Sequence, residues 1–393
     1  MRSHNLELSL TIDHYDKDGK LKNSYTYPYA DTSNNTINFT IRDNNGKVMC
    51  RKQYLSKSFV LNFLNLFSSA WIGTADNFTD VSGDPYLISS SYNMLNINAG
   101  SGQDSFGIWV GTSVISTSIT DYLATGKVQH GSSSGQLMYG STTIISPAAV
   151  AGAQRLVVRR DFTNNSSGSI VVRSTGIIAA SENGTYNYLA MIDATDEADT
   201  SINVTIVPSQ TFSVEYHFDI ATSGDYVTNF LKVLQSCFGS SSINMQTSMY
   251  ATAGSQSINY ASFTHLRADA GAAIDVWGVV CGSSSTAKNM STYVLGGQIQ
   301  HGSGANQLMY GATQGTPIVV LPPYGEFSLI RAFTNSSPGQ ITVAEAGIYL
   351  NGAGTVVNTQ DNQKTCIVRS IFTPFTVGAG EEFQLKYNVK EKN

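Results

Sequence analysis

The run Gln129-His130-Gly131-Ser132-Ser133-Ser134-Gly135-Gln136-Leu137-Met138-Tyr139-Gly140 returns 171 residues later as Gln300-His301-Gly302-Ser303-Gly304-Ala305-Asn306-Gln307-Leu308-Met309-Tyr310-Gly311, with nine of twelve positions identical. The same shift extends outward from this run. It pairs Tyr122 with Tyr293, Arg160-Asp161-Phe162-Thr163-Asn164 with Arg331-Ala332-Phe333-Thr334-Asn335, and Gly176-Ile177 with Gly347-Ile348. It also pairs Phe212, Val214 and Tyr216 with Phe383, Leu385 and Tyr387, with no net insertion between these points. Upstream, Asn62-Phe63-Leu64 matches Asn229-Phe230-Leu231 at a shift of 167, which leaves a four-residue length difference in the Ser/Gly-rich stretch between helix and first strands. Self-similarity on this scale marks a duplicated structural unit. The chain divides into an N-terminal β-rich extension over 1–55, a first repeat over 56–222 and a second over 223–393.

Within each repeat, the periodicity predicts one short helix followed by strands. Ser58 to Phe67 and Tyr226 to Leu234 place apolar residues at i, i+3, i+4 and i+7, the stripe of an amphipathic helix. Segments 107–111, 155–162, 169–172, 201–207 and 212–220 are rich in Val, Ile, Tyr, Phe and Thr and end near Gly, Asn, Ser or Pro, as strands do. Phe212, Val214, Tyr216, Phe218 and Ile220 alternate with polar residues, so one face of that strand is buried. The expected class is all-β, with two tandem β-sandwich units, jelly-roll-like, each opened by a helix. In the extension, Leu6 to Ile12 and Thr36 to Ile41 read as strands, and Asp16-Lys17-Asp18-Gly19 and Asp43-Asn44-Asn45-Gly46 as hairpin turns. These hairpins can pair within the chain or reach a neighbour.

Composition narrows the function classes. The 393 residues carry 23 basic and 28 acidic side chains, a net charge of -5, which gives no basic footprint for nucleic acid. Only 13% of residues are charged, about half the usual share, and Ser, Thr, Asn and Gly fill the polar positions. Apolar runs such as Phe59-Val60-Leu61 fall far short of the roughly 18 residues of a membrane span. The polar start from Met1, alternating from Leu6, lacks the apolar core of a signal peptide. Cys50, Cys237, Cys281 and Cys366 form no CxxC pair or zinc spacing and read as free, buried thiols.

The duplication also tests candidate chemistry, because a site needed twice should occur twice. Gln129, His130, Gly131, Leu137 and Tyr139 recur as Gln300, His301, Gly302, Leu308 and Tyr310, and their reading is structural. Each histidine sits at a strand end and bonds a loop beside a glycine turn, while Leu and Tyr enter the core. One histidine per repeat is too few for a zinc site, and no carboxylate accompanies it in both copies. Gly131-Ser132-Ser133-Ser134-Gly135 spells a nucleophile elbow, but the second copy lacks the central serine and last glycine. Asp193, Asp196, Glu197 and Asp199 form a weak calcium candidate, set against a solvated loop; the second copy has Lys364 to Ser370 there. Asp16, Asp18 and Gly19 begin like an EF-hand loop without its later ligands. Cys281 aligns with Val110, Cys366 with Thr195 and Cys237 with Ala70, so no cysteine is duplicated. Trp71, Trp109 and Trp277 are the aromatics a sugar-binding face would use, but Trp277 aligns with Phe106 and Trp109 with Val280, so core packing is the reading. No catalytic residue, cofactor or metal is expected, and the chain is read as a non-enzyme.

The run from Val110-Gly111-Thr112 through Asp121-Tyr122, Val128 to Gly131, Gln136 to Tyr139 and Arg160 to Asn165, closing with Phe212 to Ile220, resembles structural proteins of tailed bacteriophages and related uncultivated viruses. The second repeat keeps the order through Arg331 to Asn335, Val343 to Tyr349 and Ile367 to Arg369. The resemblance covers most of both repeats and implies a virion component: capsid, capsid decoration, head fibre or tail protein, located in the virion and assembled in the host cytoplasm. Two sandwiches in one chain are also similar in plan to double jelly-roll capsid proteins, although the evident likeness of the two repeats departs from their strong divergence. The implied partners are further copies of the chain and other virion proteins, with host-surface glycans a further class. A non-viral surface filament or layer subunit and a carbohydrate-binding adhesin module are the competing readings.

Overall fold

The computed structural model describes residues 6–27, 36–55, 61–72, 77–87, 95–115, 118, 120–181, 186–194, 202–239, 242–246, 255–259, 266–287, 290–291, 294–321, 324–352 and 363–392. The extension forms β1 (Leu6–Tyr15), β2 (Leu21–Tyr27), β3 (Thr36–Arg42) and β4 (Val48–Leu55). The first repeat contains α1 (Leu61–Ile72), β5 (Asn77–Thr79), β6 (Pro85–Leu87), β7 (Gly107–Gly111), β8 (Met138–Val150), β9 (Ala153–Thr163), β10 (Ile170–Val172), β11 (Ser174–Ala180), β12 (Asn187–Ala194), β13 (Val204–Ile206) and β14 (Thr211–Ala221). The second contains α2 (Thr228–Gly239), β15 (Ser242–Gln246), β16 (Ser255–Asn259), β17 (Gly278–Gly282), β18 (Met309–Tyr310), β19 (Gln314–Gly315), β20 (Val319–Leu321), β21 (Tyr324–Thr334), β22 (Ile341–Gly352), β23 (Gln363–Val377) and β24 (Glu382–Lys392). With two helices among the described residues and strands dominating the rest, the protein is all-β.

Each repeat sets a large sheet against a small one. In the first, the order β4-β3-β14-β9-β8 faces β12-β11-β7. Arg160 of β9 crosses the gap to the carbonyls of Phe106 and Ile108 at β7. In the second, β2-β1-β24-β21, with β18, β19 and β20 along the far side of β21, faces β17-β22-β23. Here Arg331 reaches the carbonyls of Trp277 and Val279, and the Tyr387 hydroxyl lies 3.1 Å from the Ser370 hydroxyl.

The extension pairs within the chain, and it pairs crosswise. β1 runs along β24 from Leu6 opposite Glu391 to Tyr15 opposite Glu382, so the first hairpin completes the second repeat. β3 runs along β14 from Arg42 opposite Thr211 to Thr36 opposite His217, so the second hairpin completes the first repeat. The hairpins occupy equivalent places, since His14 faces Phe383 as Ile41 faces Phe212. Their turns match as well. Asp16 Oδ1 accepts from the backbone N–H of Asp18 and of Lys20, each at 2.9 Å, and Asp43 Oδ1 accepts from those of Asn45 and Lys47, also each at 2.9 Å. A short polar side chain that caps its own turn is the usual device for reversing a strand. The β5–β6 hairpin repeats it with Asp80 Oδ1, which accepts from Ser82 at 2.8 Å and Asp84 at 3.0 Å.

Buried apolar residues of both repeats form one continuous cluster, and the helices are why. α1 packs on β12 of its own repeat and on β19 and β21 of the other, while α2 packs on β23 of its own and on β8 and β9 of the first. The Trp71 carbonyl accepts from Ala268 N–H at 2.7 Å, and the Phe238 carbonyl accepts from Ile97 N–H at 3.0 Å. Equivalent residues thus make reciprocal contacts, the pattern of a two-fold relation between like units. Phe67 meets Phe230 between the helices with ring centroids 6.1 Å apart. The sequence stripe predicts an amphipathic α1 with a solvent face; instead it is buried from Asn62 to Trp71, because β-structure lies on both sides.

The register also revises part of the alignment. Gly176 faces Ile192, whereas Gly347 faces Arg369, so the equivalent shift there is 177 rather than 171. Ile170 opposite Ile206 and Ile341 opposite Val377 restore 171. Two compensating six-residue differences cancel: the second repeat is longer between β22 and β23 and shorter where the first has the stretch between β12 and β13. Cys366, opposite Tyr349, therefore matches Leu189, opposite Ile178, rather than Thr195. Asp193 likewise matches Ser370.

Candidate functional site

The repeated motif folds into the same small clamp twice. His130 and Leu137 bridge in parallel, with Gly131 N–H donating to the Leu137 carbonyl at 3.0 Å and Leu137 N–H to the Gln129 carbonyl at 3.2 Å. His301, Leu308, Gly302 and Gln300 repeat this at 3.0 and 3.1 Å. Gly131 and Gly302 sit at φ +152° and +153°, and a Cβ on either would collide with the amide oxygen of Gln136 or Gln307. That oxygen is in use: Gln136 Oε1 accepts from Ser133 N–H at 3.1 Å and Gln307 Oε1 from Gly304 N–H at 2.9 Å.

Each histidine then ties the clamp to the core. Tyr139 N–H donates to His130 Nδ1 at 3.1 Å and Tyr310 N–H to His301 Nδ1 at 3.0 Å, which leaves the proton of a neutral ring on Nε2. Leu137 and Leu308 are fully buried, and the buried Tyr139 and Tyr310 hydroxyls donate to the carbonyls of Val128 and Ile299, both at 2.5 Å. Burial pushes the Tyr139 phenol far above its ordinary range. Gln129 and Gln300 are exposed.

A carboxylate does stand beside each histidine, against the sequence reading. Asp104 Oδ2 accepts from His130 N–H at 2.8 Å and Asp275 Oδ2 from His301 N–H at 2.6 Å. The pair lies at the 171-residue shift, 26 residues before each histidine, and that spacing is the signal that could have found it. It grips the backbone rather than the imidazole, so it forms no acid–base dyad. Among the described residues, no group of three or more His, Cys, Asp or Glu side chains could hold a metal ion.

Arg160 and Arg331 are charged and both fully buried, at 0% exposure. Arg160 donates from Nε to the Gly140 carbonyl at 2.8 Å, from Nη1 to Phe106 and Ile108 at 3.0 Å each, and from Nη2 to Gly100 and Gln103. Arg331 gives the same five bonds to Gly311, Trp277, Val279, Gly271 and Ile274. Each guanidinium stacks 4.8 Å from the centroid of Tyr139 or Tyr310. Desolvation pulls both guanidinium pKa values down to about 10, so both stay cationic at neutral pH. Five carbonyls are what a planar five-donor fork can satisfy, and each fork binds the loop before β7 or β17 to the strands beneath it. Asn164 and Asn335 close the other end of each unit by matching bonds to Gly168 and Ile206, and to Gly339 and Val377.

The remaining candidates are not duplicated. Asp193 is buried on β12 opposite Thr175, while Asp196, Glu197 and Asp199 lie outside the described residues. Trp71 is buried at the end of α1, 5.8 Å from Phe327, Trp109 lies in a small separate cluster with Ile178, Leu189 and Ile192, and Trp277 is half-buried. None of the four cysteines is in a disulfide; burial pushes the thiols of Cys237, Cys281 and Cys366 up to about 12, whereas Cys50 is partly exposed. A pocket of about 380 Å³ opens on the first repeat between Leu123, Ile178, Ser105 and Lys127. Its ammonium is committed to the loop, donating to the Asp104 carbonyl at 2.5 Å, and Gln298 does the same to Asp275 in the second repeat.

The outer edges of the two large sheets differ in how they are finished. β8 carries Pro147 and two register breaks, and its counterpart is cut into the two- and three-residue pieces β18, β19 and β20. β4 presents Arg51 and Lys52, the latter bonded to the Asn203 carbonyl at 3.0 Å. β2 is a seven-residue strand with one charge, Lys22, and it is exposed from Leu21 to Thr26. Its one bulge lies at the turn end, between Leu21 and Asn23, and its pairing with β1 is regular from Asn23 to Tyr27.

Compared with known proteins, the chain matches no family model, no curated protein and no solved structure.

Proposed function

We propose that this protein is a virion structural component, a capsid, decoration, head-fibre or tail protein that self-assembles or coats a particle through tandem jelly-roll-like sandwiches. The observation that carries this reading is the crosswise construction. Two like sandwiches, each built on the same arginine clamp, are joined by reciprocal helices and reciprocal hairpins into one block with sheet edges at its surface. Its buried polar chemistry is spent on carbonyls and turns, which stiffens loops, and its sparsely charged surface offers little like-charge repulsion between copies. A block of two joined sandwiches suits repeated lateral contact in a shell or fibre. Light scattering with negative-stain electron microscopy of the purified chain tests it: trimers, rings, tubes or shells support the reading, and a monomer at every concentration, with or without isolated particles, counts against it.

A further inference from the structure

We infer that β2 is the assembly edge, and that it pairs antiparallel with β2 of a second copy of this chain; this rests on the self-assembly reading above. An unpaired strand edge is a template for another strand, and proteins that stay apart blunt it with proline, charge, bulges or short strands. The edge at β8 is broken by proline and register breaks, its counterpart is fragmented, and β4 carries adjacent charges. Among the described residues β2 pairs with β1 alone and has only the bulge at its turn end, so five residues from Asn23 to Tyr27 form a regular edge. Apolar side chains are left exposed along the strand: Leu21 is 50% and Tyr25 41% exposed. Tyr25 projects from the same face of the sheet as Ile12, which is fully buried opposite it, so the ring overhangs the point where the core ends. The single charge is already held, Lys22 Nζ lying 2.6 Å from Glu381 Oε1.

The strand can pair with itself about Ser24. In an antiparallel pair with Ser24 opposite Ser24, Asn23 faces Tyr25 on either side of the dyad, and the bulge at Lys22 takes Leu21 out of register with Tyr27. The Tyr25 ring then covers Asn23 of the other copy, Tyr27 stays on Phe372 of its own chain with ring centroids 5.8 Å apart, and no like charges are opposed. β4 lacks this property because Arg51 and Lys52 are adjacent on its edge. A two-fold contact of this kind joins two five-strand-wide sheets into one. A seven-residue strand pair buries less than the roughly 1,600 Å² of a standard interface, so the contact is weak alone and concentration-dependent.

The test compares the full chain with Ser24→Lys and Ser24→Cys, after circular dichroism shows that each variant keeps the strand signal and melting behaviour of the parent. Ser24→Lys, made together with Asp13→Asn because the Asp13 carboxylate accepts from the Ser24 hydroxyl at 2.6 Å and would otherwise neutralise the new ammonium, sets two ammonium groups face to face at the dyad and is expected to raise the concentration for association at least tenfold in light scattering. Ser24→Cys is expected to yield a disulfide-linked dimer under mild oxidation, because opposed Cα atoms in an antiparallel pair stand about 4.5–5.5 Å apart. The parent, whose Cys50 is its one partly exposed thiol, provides the baseline. If the parent associates, Ser24→Lys associates equally well and the thiol introduced by Ser24→Cys stays free, β2 is not the edge used, and self-assembly stands on another surface. If the parent remains a monomer throughout and the introduced thiol stays free, the self-assembly reading falls and the β2 contact with it.

Discussion

Ala273 holds φ +67° at the place where Gly102, 171 residues earlier, holds φ +81°. The same relation joins Ser209 at +67° to Gly380 at +78°, and Asn306 at +60° to Gly135 at +78°. Every non-glycine residue with positive φ among the described residues thus has glycine as its counterpart in the other repeat, so the backbone course outlived the side chains. The left-handed region costs an alanine about 1–2 kcal/mol, and glycine returns about 0.4–1 of that through the unfolded chain. Ala273→Gly should therefore raise stability by about 0.5–1 kcal/mol and Gly102→Ala lower it by a similar amount, read from urea midpoints. Asn306→Gly should change little, because asparagine tolerates this region. A loss of stability in Ala273→Gly would contradict the account.

Arg160 and Arg331 each satisfy five carbonyls in a region sealed from water. Lysine has three donors on a single point, so at least two carbonyls lose their partner. Arg160→Lys should cost about 2–4 kcal/mol, since each buried orphan costs about 1–3. Arg160→Met should cost more, and the matching changes at Arg331 should do the same. Chemical denaturation measures both, and a cost under about 1 kcal/mol would mean that the loops are held by something else.

Much of this fold is written in the chain, but unevenly. The 171-residue repeat, the hairpin turns at Asp16 and Asp43, and the strand over 212–220 follow from identity, turn chemistry and period. Which edge each hairpin covers does not, because β1 and β3 are both alternating strands and the choice between β14 and β24 is made by the tertiary arrangement. The two six-residue length changes are hidden because they cancel, which misplaces Cys366 in an ungapped alignment. Asp104 and Asp275 stand at the same shift, flanked by Ala99-Gly100 and Gly107 in one copy and Ala270-Gly271 and Gly278 in the other, but 26 residues before the histidines, and sequence alone does not show that this loop folds back onto the motif. The full burial of α1 has no periodic signature that separates it from a one-sided helix.

Glu381 fastens the first hairpin to the second repeat. His14 Nε2 lies 2.9 Å from its Oε2, Lys22 Nζ 2.6 Å from its Oε1, and Gly378 N–H donates to Oε2 at 2.7 Å. Desolvation raises the carboxyl pKa, but the bonds from Lys22, Gly378 and His14 outweigh it and bring the value down to about 2. A folded pKa below the unfolded one means that the bond contributes in full above the ordinary carboxylate range, about 4.3, and is lost as pH falls from there toward 2. Amide protection across β1 and β2, the exchange rate set against the intrinsic rate at the same pH, should fall in that window, and Glu381→Gln should lower protection at neutral pH and flatten its acid profile. An unchanged acid profile in Glu381→Gln would assign the effect to another group.

Glu345 and Arg369 form a buried ion pair at 2.8 Å with exposures of 0% and 4%, and the first repeat shows how the same site is built without it. Glu345 also accepts from Gly296 and Gly297 N–H, and Arg369 donates to the Thr286 carbonyl, so the pair pins the loop between β17 and Gly297. By register its counterparts are Ser174 and Ile192, both buried. Removing one charge strands the other away from water, which costs about 3–5 kcal/mol, whereas exchanging both for neutral groups is often close to neutral. Glu345→Ser alone should therefore be severely destabilising, and Glu345→Ser with Arg369→Ile should recover most of the loss. A double-mutant cycle on the full chain measures the coupling, expected at about 2–3 kcal/mol. Additive costs would show that the pair acts through its loop carbonyls and amides rather than through charge, and that the serine–isoleucine solution belongs to the first repeat alone.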